Sequence, residues 1–139
     1  MYNLFMKYVE IRVYKYKSVD DYYNLTDIIP PVAIDTEFIK LDTDGLLSIK
    51  SGYSWDGPSG PTIDTKNFMT GSLVHDAFYQ LIREGHLSRD YGHKANVLLR
   101  EMCLNAGMSK FRAWYVYKSV EAFGFLSLKR EPPINVLEV

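Results

Sequence analysis

One stretch of ten residues carries most of the side chains that could do chemistry in this 139-residue chain. It reads Thr-Gly-Ser-Leu-Val-His-Asp-Ala-Phe-Tyr from Thr70 to Tyr79 and places His75 next to Asp76. On a helix, Tyr79 lies one turn after His75 on the same face, whereas Asp76 points about 100° away. Polar groups on a mostly apolar helix need partners, because burying them unpaired costs free energy. The stretch therefore predicts either a His-Asp site or a core histidine that a neighbouring side chain satisfies.

A loop rich in glycine and proline precedes this stretch. Residues 55–62 read Trp-Asp-Gly-Pro-Ser-Gly-Pro-Thr, a composition that excludes a regular strand or helix. Such a loop holds its polar side chains in fixed positions, so Asp56 and Ser59 are candidate site residues. We expect one of them to hydrogen-bond the start of the following helix, where backbone N–H groups lack partners. The alternative is a structural turn between sheet and helix.

A second predicted helix brings further polar side chains to the same region. Arg89, His93 and Asn96 follow one another at spacings of four and three, which places them on one helix face. A short link joins this helix to the first, so the two should be antiparallel neighbours with their polar faces opposed. Loop and helices together predict a pocket.

The remaining elements come in the order strands first, helices second. Apolar and polar residues alternate over 6–17, 33–41 and 46–55, and the Asp-Thr-Asp-Gly turn at 42–45 indicates a hairpin. Residues 18–32 should form a loop that ends in paired prolines. Helices should follow over about 65–83, 88–106 and 110–123, with Ser88 and Ser109 as N-caps and Gly124 after the last. This order predicts an α+β fold with N-terminal antiparallel strands packed against three C-terminal helices.

The composition is typical of a single globular domain. Hydrophobic residues make up 47% of the chain and charged residues 24%. We expect residues 1–55 to be mainly strands, 56–64 a shaped loop, 65–125 the helices and 126–139 an extended tail. The net charge of −1 gives no global electrostatic reason to expect nucleic acid or an anionic membrane as a partner. No apolar run reaches the about 20 residues of a transmembrane helix, and the single Cys103 excludes an internal disulfide.

Three blocks of the sequence resemble, in order, a small phage-encoded family of unknown function. They are Trp-Asp-Gly-Pro-Ser at 55–59, His-Asp-Ala-Phe-Tyr at 75–79 and Ala-Asn-Val-Leu-Leu at 95–99. The family pattern has Asp-Gly-Ala-Ser, His-Asp-x-x-Tyr and Ala-Asp-x-x-Phe. The resemblance implies a viral or prophage origin, and so a place in the cytoplasm of a bacterial host or in the virion. It implies no established activity.

The His-Asp-x-x-Tyr motif on a helix also resembles the phospholipase A-two superfamily. This resemblance implies that His75 is the general base for a water, Asp76 a calcium ligand, and Tyr79 the support of a carboxylate on the facing helix. The glycine-rich segment 57–60 stands roughly where that family supplies backbone ligands to calcium.

Two departures from the phospholipase pattern stand out. The disulfide framework is absent, and Asn96 occupies the position of the facing carboxylate. An amide can hold a histidine tautomer but cannot offset the charge that develops on the ring. We therefore expect Asp56 to compensate, within hydrogen-bonding reach of His75. Asn96→Asp should be tolerated, because it restores the carboxylate of the motif.

Two interpretations of function follow. In the first, the protein is a small hydrolase in which His75 takes a proton from water, Asp56 or Asn96 orients the ring, and any calcium binds Asp76. In the second, it is a non-enzymatic accessory or binding protein, associated with the virion or acting on a host partner. The motif is then a polar network that locks loop to helix.

The remaining candidate residues belong to binding and to a rival metal. Ser59, Arg89 and His93 are the candidate binding residues. Zinc is a weaker alternative to calcium, because the chain has no His-x-x-x-His pair. Its possible ligands are His75, Asp76, His86 and His93.

Overall fold

A computed structural model describes residues 8–10, 16–55 and 66–127, with side chains described for 16–55 and 68–122. The strands are β1 (Tyr8–Glu10), β2 (Tyr16–Ser18), β3 (Tyr22–Leu25), β4 (Ile34–Asp35), β5 (Ile39–Leu41), β6 (Leu46–Ile49) and β7 (Ser54–Trp55). The helices are α1 (Lys66–Arg83), α2 (Tyr91–Asn105) and α3 (Lys110–Ser127). This order of antiparallel strands followed by helices confirms the predicted α+β class.

The strands form two antiparallel sheets. One has the order β1-β2-β7 and the other the order β3-β6-β5-β4. The predicted hairpin is the β5–β6 pair, with Leu41 opposite Leu47 across the turn at 42–45. Among the described residues, no helix is long and apolar enough to cross a membrane.

Several predicted strand boundaries are wrong. The single strand predicted over 6–17 is two strands, since β1 pairs antiparallel with β2. Tyr16 of β2 is buried against the Trp55 ring with 5.7 Å between ring centroids. The loop predicted over 18–32 contains β3, which pairs with β6. The strand predicted over 46–55 is interrupted by a turn at Gly52, whose φ of +91° suits glycine.

The helix ends also differ in detail. Ser109 caps α3 as predicted, because its hydroxyl accepts the Arg112 N–H at 3.2 Å. Gly124 does not end α3, because one glycine inside a helix costs only about 1 kcal/mol and the helix runs on to Ser127. Helix α2 begins at Tyr91, since the Ser88 hydroxyl accepts the Asp90 N–H in a turn before the helix. The shaped loop at 56–64 and the tail from 128 lie outside the described residues.

Helix α1 lies between the sheets and the other two helices. From 68 to 83, only Asp76, Gln80 and Arg83 are partly exposed, and every other residue is buried. One side of α1 packs with strand residues such as Leu47 and Ile49. Another side packs with α2 and α3 in a second cluster around Leu99 and Cys103. Any polar side chain on this helix must therefore find its hydrogen-bond partners inside the protein.

Two contacts fix how α1 sits. The Trp55 indole N–H of β7 donates to the Ser72 hydroxyl at 3.2 Å, which holds α1 against the sheet side. A Cβ on Gly71 would lie 2.9 Å from the Leu99 side chain, so α1 and α2 approach closely there. Gly71, His75 and Tyr79 share one face of α1 at spacings of four. The close approach at Gly71 therefore brings His75 and Tyr79 against α2.

Gly45 gives a direct test of the hairpin turn, with Gly85 as its matched control. Both have positive φ, +92° and +86°, but a Cβ on Gly45 would lie 2.2 Å from the Thr26 carbonyl oxygen, whereas Gly85 has nothing within 4 Å. Gly85→Ala should cost about 1–2 kcal/mol for the left-handed backbone alone. Gly45→Ala should cost at least about 3 kcal/mol or prevent folding, because the clash is with backbone. Urea unfolding measures both, and equal losses would contradict the turn geometry.

Candidate functional site

The candidate site is a hydrogen-bonded network that joins α1, α2 and α3. His75 and Tyr79 come from α1, Asn96 from α2 and Glu121 from α3. His75 is 8% exposed, and Asn96 and Tyr79 are each 4% exposed. These groups are held where bulk water does not compete strongly for their hydrogen bonds.

Asn96 lies at the centre of the network. Its Oδ1 is 2.6 Å from His75 Nε2 and accepts the Tyr79 hydroxyl at 2.7 Å. Its Nδ2 donates to Glu121 Oε2 at 2.6 Å. The carboxylate fixes the orientation of the amide, because only the NH₂ group can donate to it. The Asn96 oxygen is therefore the acceptor for both side chains of α1.

This orientation determines the tautomer of His75. An amide oxygen cannot donate, so the ring nitrogen facing it, Nε2, must carry the hydrogen. On the neutral ring, Nδ1 then holds the free lone pair. Nδ1 lies 3.8 Å from Asp76 Oδ1, and the Asp76 side chain is 32% exposed. The basic nitrogen of His75 is thus Nδ1, which lies on the side of the partly exposed Asp76 carboxylate.

The network continues from Asn96 to the protein surface. Glu121 faces His93, whose Nδ1 lies 3.2 and 3.1 Å from the two carboxylate oxygens. The side chains of His93 and Glu121 are 63% and 33% exposed. The Glu121 carboxylate is therefore hydrogen-bonded to the same Asn96 amide that contacts His75.

Tyr79 is a structural donor in this network. Burial raises the pKa of Tyr79 from 10.0 to about 12, the hydrogen bond to Asn96 opposes that rise, and the nearby charge of Glu121 adds to it. The phenol is therefore neutral at any ordinary pH and keeps donating to Asn96. Its ring also lies against the His75 ring, with 4.1 Å between centroids. Tyr79 thus holds both the amide and the imidazole in place.

Four of the predicted site residues come together as expected. His75, Tyr79, Asn96 and His93 all belong to the network. Arg89 lies exposed in the turn before α2, where its carbonyl accepts the Gly92 N–H at 2.9 Å. The predicted residues Asp56 and Ser59 lie outside the described part of the chain.

Glu121 is the residue of the network that the sequence did not reveal. It is the only acidic residue between Lys110 and Ser127, the ends of α3. A lone carboxylate on an otherwise aromatic and basic helix is a signal that it has a specific partner. The spacing within α3 gave no indication that this partner would be on α2.

The described residues do not assemble the predicted zinc ligands. Within them, no group of three or more His, Cys, Asp or Glu side chains could hold a metal ion. His86 lies 3.7 Å from Glu84, and His93 faces Glu121, so neither joins His75 and Asp76. A calcium site on Asp76 would need backbone ligands from residues 57–60, which lie outside the described chain.

Cys103 is not a candidate nucleophile. Its side chain is fully buried, and burial raises the pKa of its thiol from 9.0 to about 12. The residue packs with Leu99 and Phe68 between the helices. It therefore acts as a small core residue.

Comparisons with protein-family models, with curated proteins and with solved structures found no match to this chain. Function must therefore be inferred from the chemistry of the network. Its defining features are the fixed tautomer of His75 and the Glu121 carboxylate, which is linked to His75 by hydrogen bonds through the Asn96 amide.

The contact between Asn96 and Glu121 reverses the expected effect of Asn96→Asp. The new carboxylate would stand about where Asn96 Nδ2 now lies 2.6 Å from Glu121 Oε2, and two like charges at that separation, one of them buried, repel strongly. At neutral pH the single change should cost at least about 2 kcal/mol. Glu121→Gln added to it should recover most of that loss, because the glutamine amide can donate to the new carboxylate.

A double-mutant cycle measures this coupling. Urea unfolding of the wild type, Asn96→Asp, Glu121→Gln and the double variant should give a coupling free energy of at least about 1.5 kcal/mol. Additive effects of the two changes would show that Asn96 and Glu121 do not share a hydrogen bond.

Proposed function

We propose that the protein is a small hydrolase in which His75 is the general base. The observation that carries the proposal is the 2.6 Å hydrogen bond between His75 Nε2 and an Asn96 amide that Glu121 holds in orientation. This arrangement leaves Nδ1 as the nitrogen that can take a proton. A base whose ring is fixed by a third group is a common feature of hydrolytic sites.

In the proposed reaction, Nδ1 of His75 removes a proton from a water molecule as its oxygen attacks the carbonyl carbon of an ester. The new C–O bond forms and a tetrahedral oxyanion results. The imidazolium then returns the proton to the leaving alcohol as the original ester bond breaks. His75 ends the cycle neutral, and the net change is that the ester and one water become a carboxylic acid and an alcohol.

Asn96 and Glu121 serve different parts of this cycle. Asn96 keeps Nε2 protonated, so that Nδ1 is the basic atom before the reaction. Glu121 is hydrogen-bonded to Asn96 and does not contact the ring itself. Its negative charge favours the imidazolium that forms when Nδ1 takes the proton. Glu121 therefore supplies, through the amide, the charge that the resembled phospholipase motif places directly against the histidine.

A second candidate is a non-enzymatic phage accessory or binding protein, acting in the virion or on a host partner. It is favoured by the deep burial of His75, because a buried hydrogen-bonded network also serves to fix the packing of three helices. In that case the network contributes stability and the function lies on the surface. Host cytoplasm and virion are both compatible with this candidate.

His75→Ala separates the two candidates, with His86→Ala as the matched control. His86 is an exposed histidine outside the network, paired with Glu84. As hydrolysis probes we choose p-nitrophenyl butyrate and phosphatidylcholine vesicles, each with calcium and with chelator. The hydrolase proposal predicts that His75→Ala lowers the rate at least about 100-fold. His86→Ala should leave it unchanged.

Thermal melting of the same variants completes the test. A purely structural role predicts no activity of the wild type on either probe and a loss of about 1–3 kcal/mol in His75→Ala from an unsatisfied buried partner. A wild type that is active, and equally active after His75→Ala, would contradict the hydrolase mechanism.

A further inference from the structure

Helix α3 has apolar residues on two opposite faces. Ala113, Val116 and Val120 pack into the core between the helices. On a helical projection, Phe111 and Tyr115 lie on the opposite side, and Lys118 lies between Phe111 and Trp114. The exposed fractions are 75% for Phe111, 52% for Trp114 and 37% for Tyr115. Three neighbouring exposed aromatic rings on one helix face are unusual for a protein surface.

Two exposed lysines of α3 lie near these rings. Lys118 lies within the aromatic stripe, and Lys110 begins the helix; both are exposed. The only acidic residue of α3, Glu121, is turned toward α2, where it faces Asn96 and His93. The face formed by Phe111, Trp114, Tyr115 and Lys118, which we call the aromatic face, therefore presents rings and a cation without an opposing carboxylate from its own helix.

We propose that the aromatic face of α3 docks on an anionic lipid membrane. Tryptophan and tyrosine rings favour the depth of the lipid headgroups, and a helix with aromatic residues on one face can lie in that plane. Lysine stems extend along the apolar region while their ammonium groups reach the lipid phosphates. The cation in the stripe is thus complementary to a negatively charged surface. This proposal does not rest on the hydrolase mechanism.

Two other occupants fit the aromatic face less well. In a two-fold antiparallel pair of α3 helices, Lys110 and Lys118 of the two copies would approach each other, which disfavours a second copy. Single-stranded nucleic acid could stack on the rings, but such binders present a positively charged groove. Both occupants are outcomes that the experiment distinguishes.

Tryptophan fluorescence reads out docking at this face directly. The chain has two tryptophans, and Trp55 is already buried at 2% exposure, so an environment change on docking reports Trp114. We expect a blue shift on adding vesicles of equal parts phosphatidylglycerol and phosphatidylcholine, and a much smaller one with phosphatidylcholine alone. Raising the salt concentration should weaken binding to the anionic vesicles.

Vesicle co-sedimentation of variants locates the surface. Phe111→Ala should weaken binding to anionic vesicles at least about ten-fold, and Lys118→Glu at least about five-fold. Tyr23→Ala is the matched control, because Tyr23 is also an exposed aromatic ring, at 58%, but lies on strand β3. It should bind as the wild type does. Circular dichroism establishes that each variant is folded.

Several results would overturn the proposal. They are failure of the wild type to bind anionic vesicles, equal binding to neutral vesicles, and equal losses in Tyr23→Ala and Phe111→Ala. A concentration-dependent dimer that Phe111→Ala dissociates would assign the face to a second copy instead. Binding to single-stranded oligonucleotide with no binding to vesicles would assign it to nucleic acid.

Discussion

The amide of Asn96 is the constraint on which the structure of the site depends. Its oxygen accepts from two side chains of α1, and its nitrogen donates to the single carboxylate of α3. Because the amide is 4% exposed, each of these hydrogen bonds must be made within the protein. A buried polar group left unsatisfied costs about 1–3 kcal/mol. The relative positions of the three helices and the tautomer of His75 are therefore set together.

Apolar packing makes this arrangement possible, and it also limits what the site can do. The close approach of α1 and α2 at Gly71 brings the polar residues of the two helices within hydrogen-bonding distance. The sheets hold the other side of α1 through Trp55 and Ser72. Chemistry at His75 is then confined to Nδ1, because Nε2 is committed to Asn96. A substrate would have to approach from the side of Asp76, the partly exposed neighbour of the ring.

The parts of the structure that could be predicted are those that depend on spacing along one element. His75, Tyr79, Asn96 and His93 follow helical spacing, and a short link makes their helices antiparallel, so their meeting could be predicted. Glu121 could not, because α3 is apolar on both faces and its rotation relative to α2 depends on tertiary packing. Strand β3 could not be predicted either. In this strand the polar Asn24 is buried at 2% and the apolar Leu25 is exposed, which is the reverse of the usual pattern of buried apolar and exposed polar residues. The roles of Asp56 and Ser59 stay predictions.

The tautomer of His75 is the most direct test of the network and of the general base that depends on it. Long-range proton–nitrogen correlation spectra of the neutral ring distinguish a protonated ring nitrogen from an unprotonated one. The structure predicts a hydrogen on Nε2 of His75 and a free lone pair on Nδ1, with this preference lost in Asn96→Ala. Exposed His86 provides the internal reference for a ring outside the network. A hydrogen on Nδ1 of His75 in the wild type would contradict both the hydrogen bond to Asn96 and the proposed base.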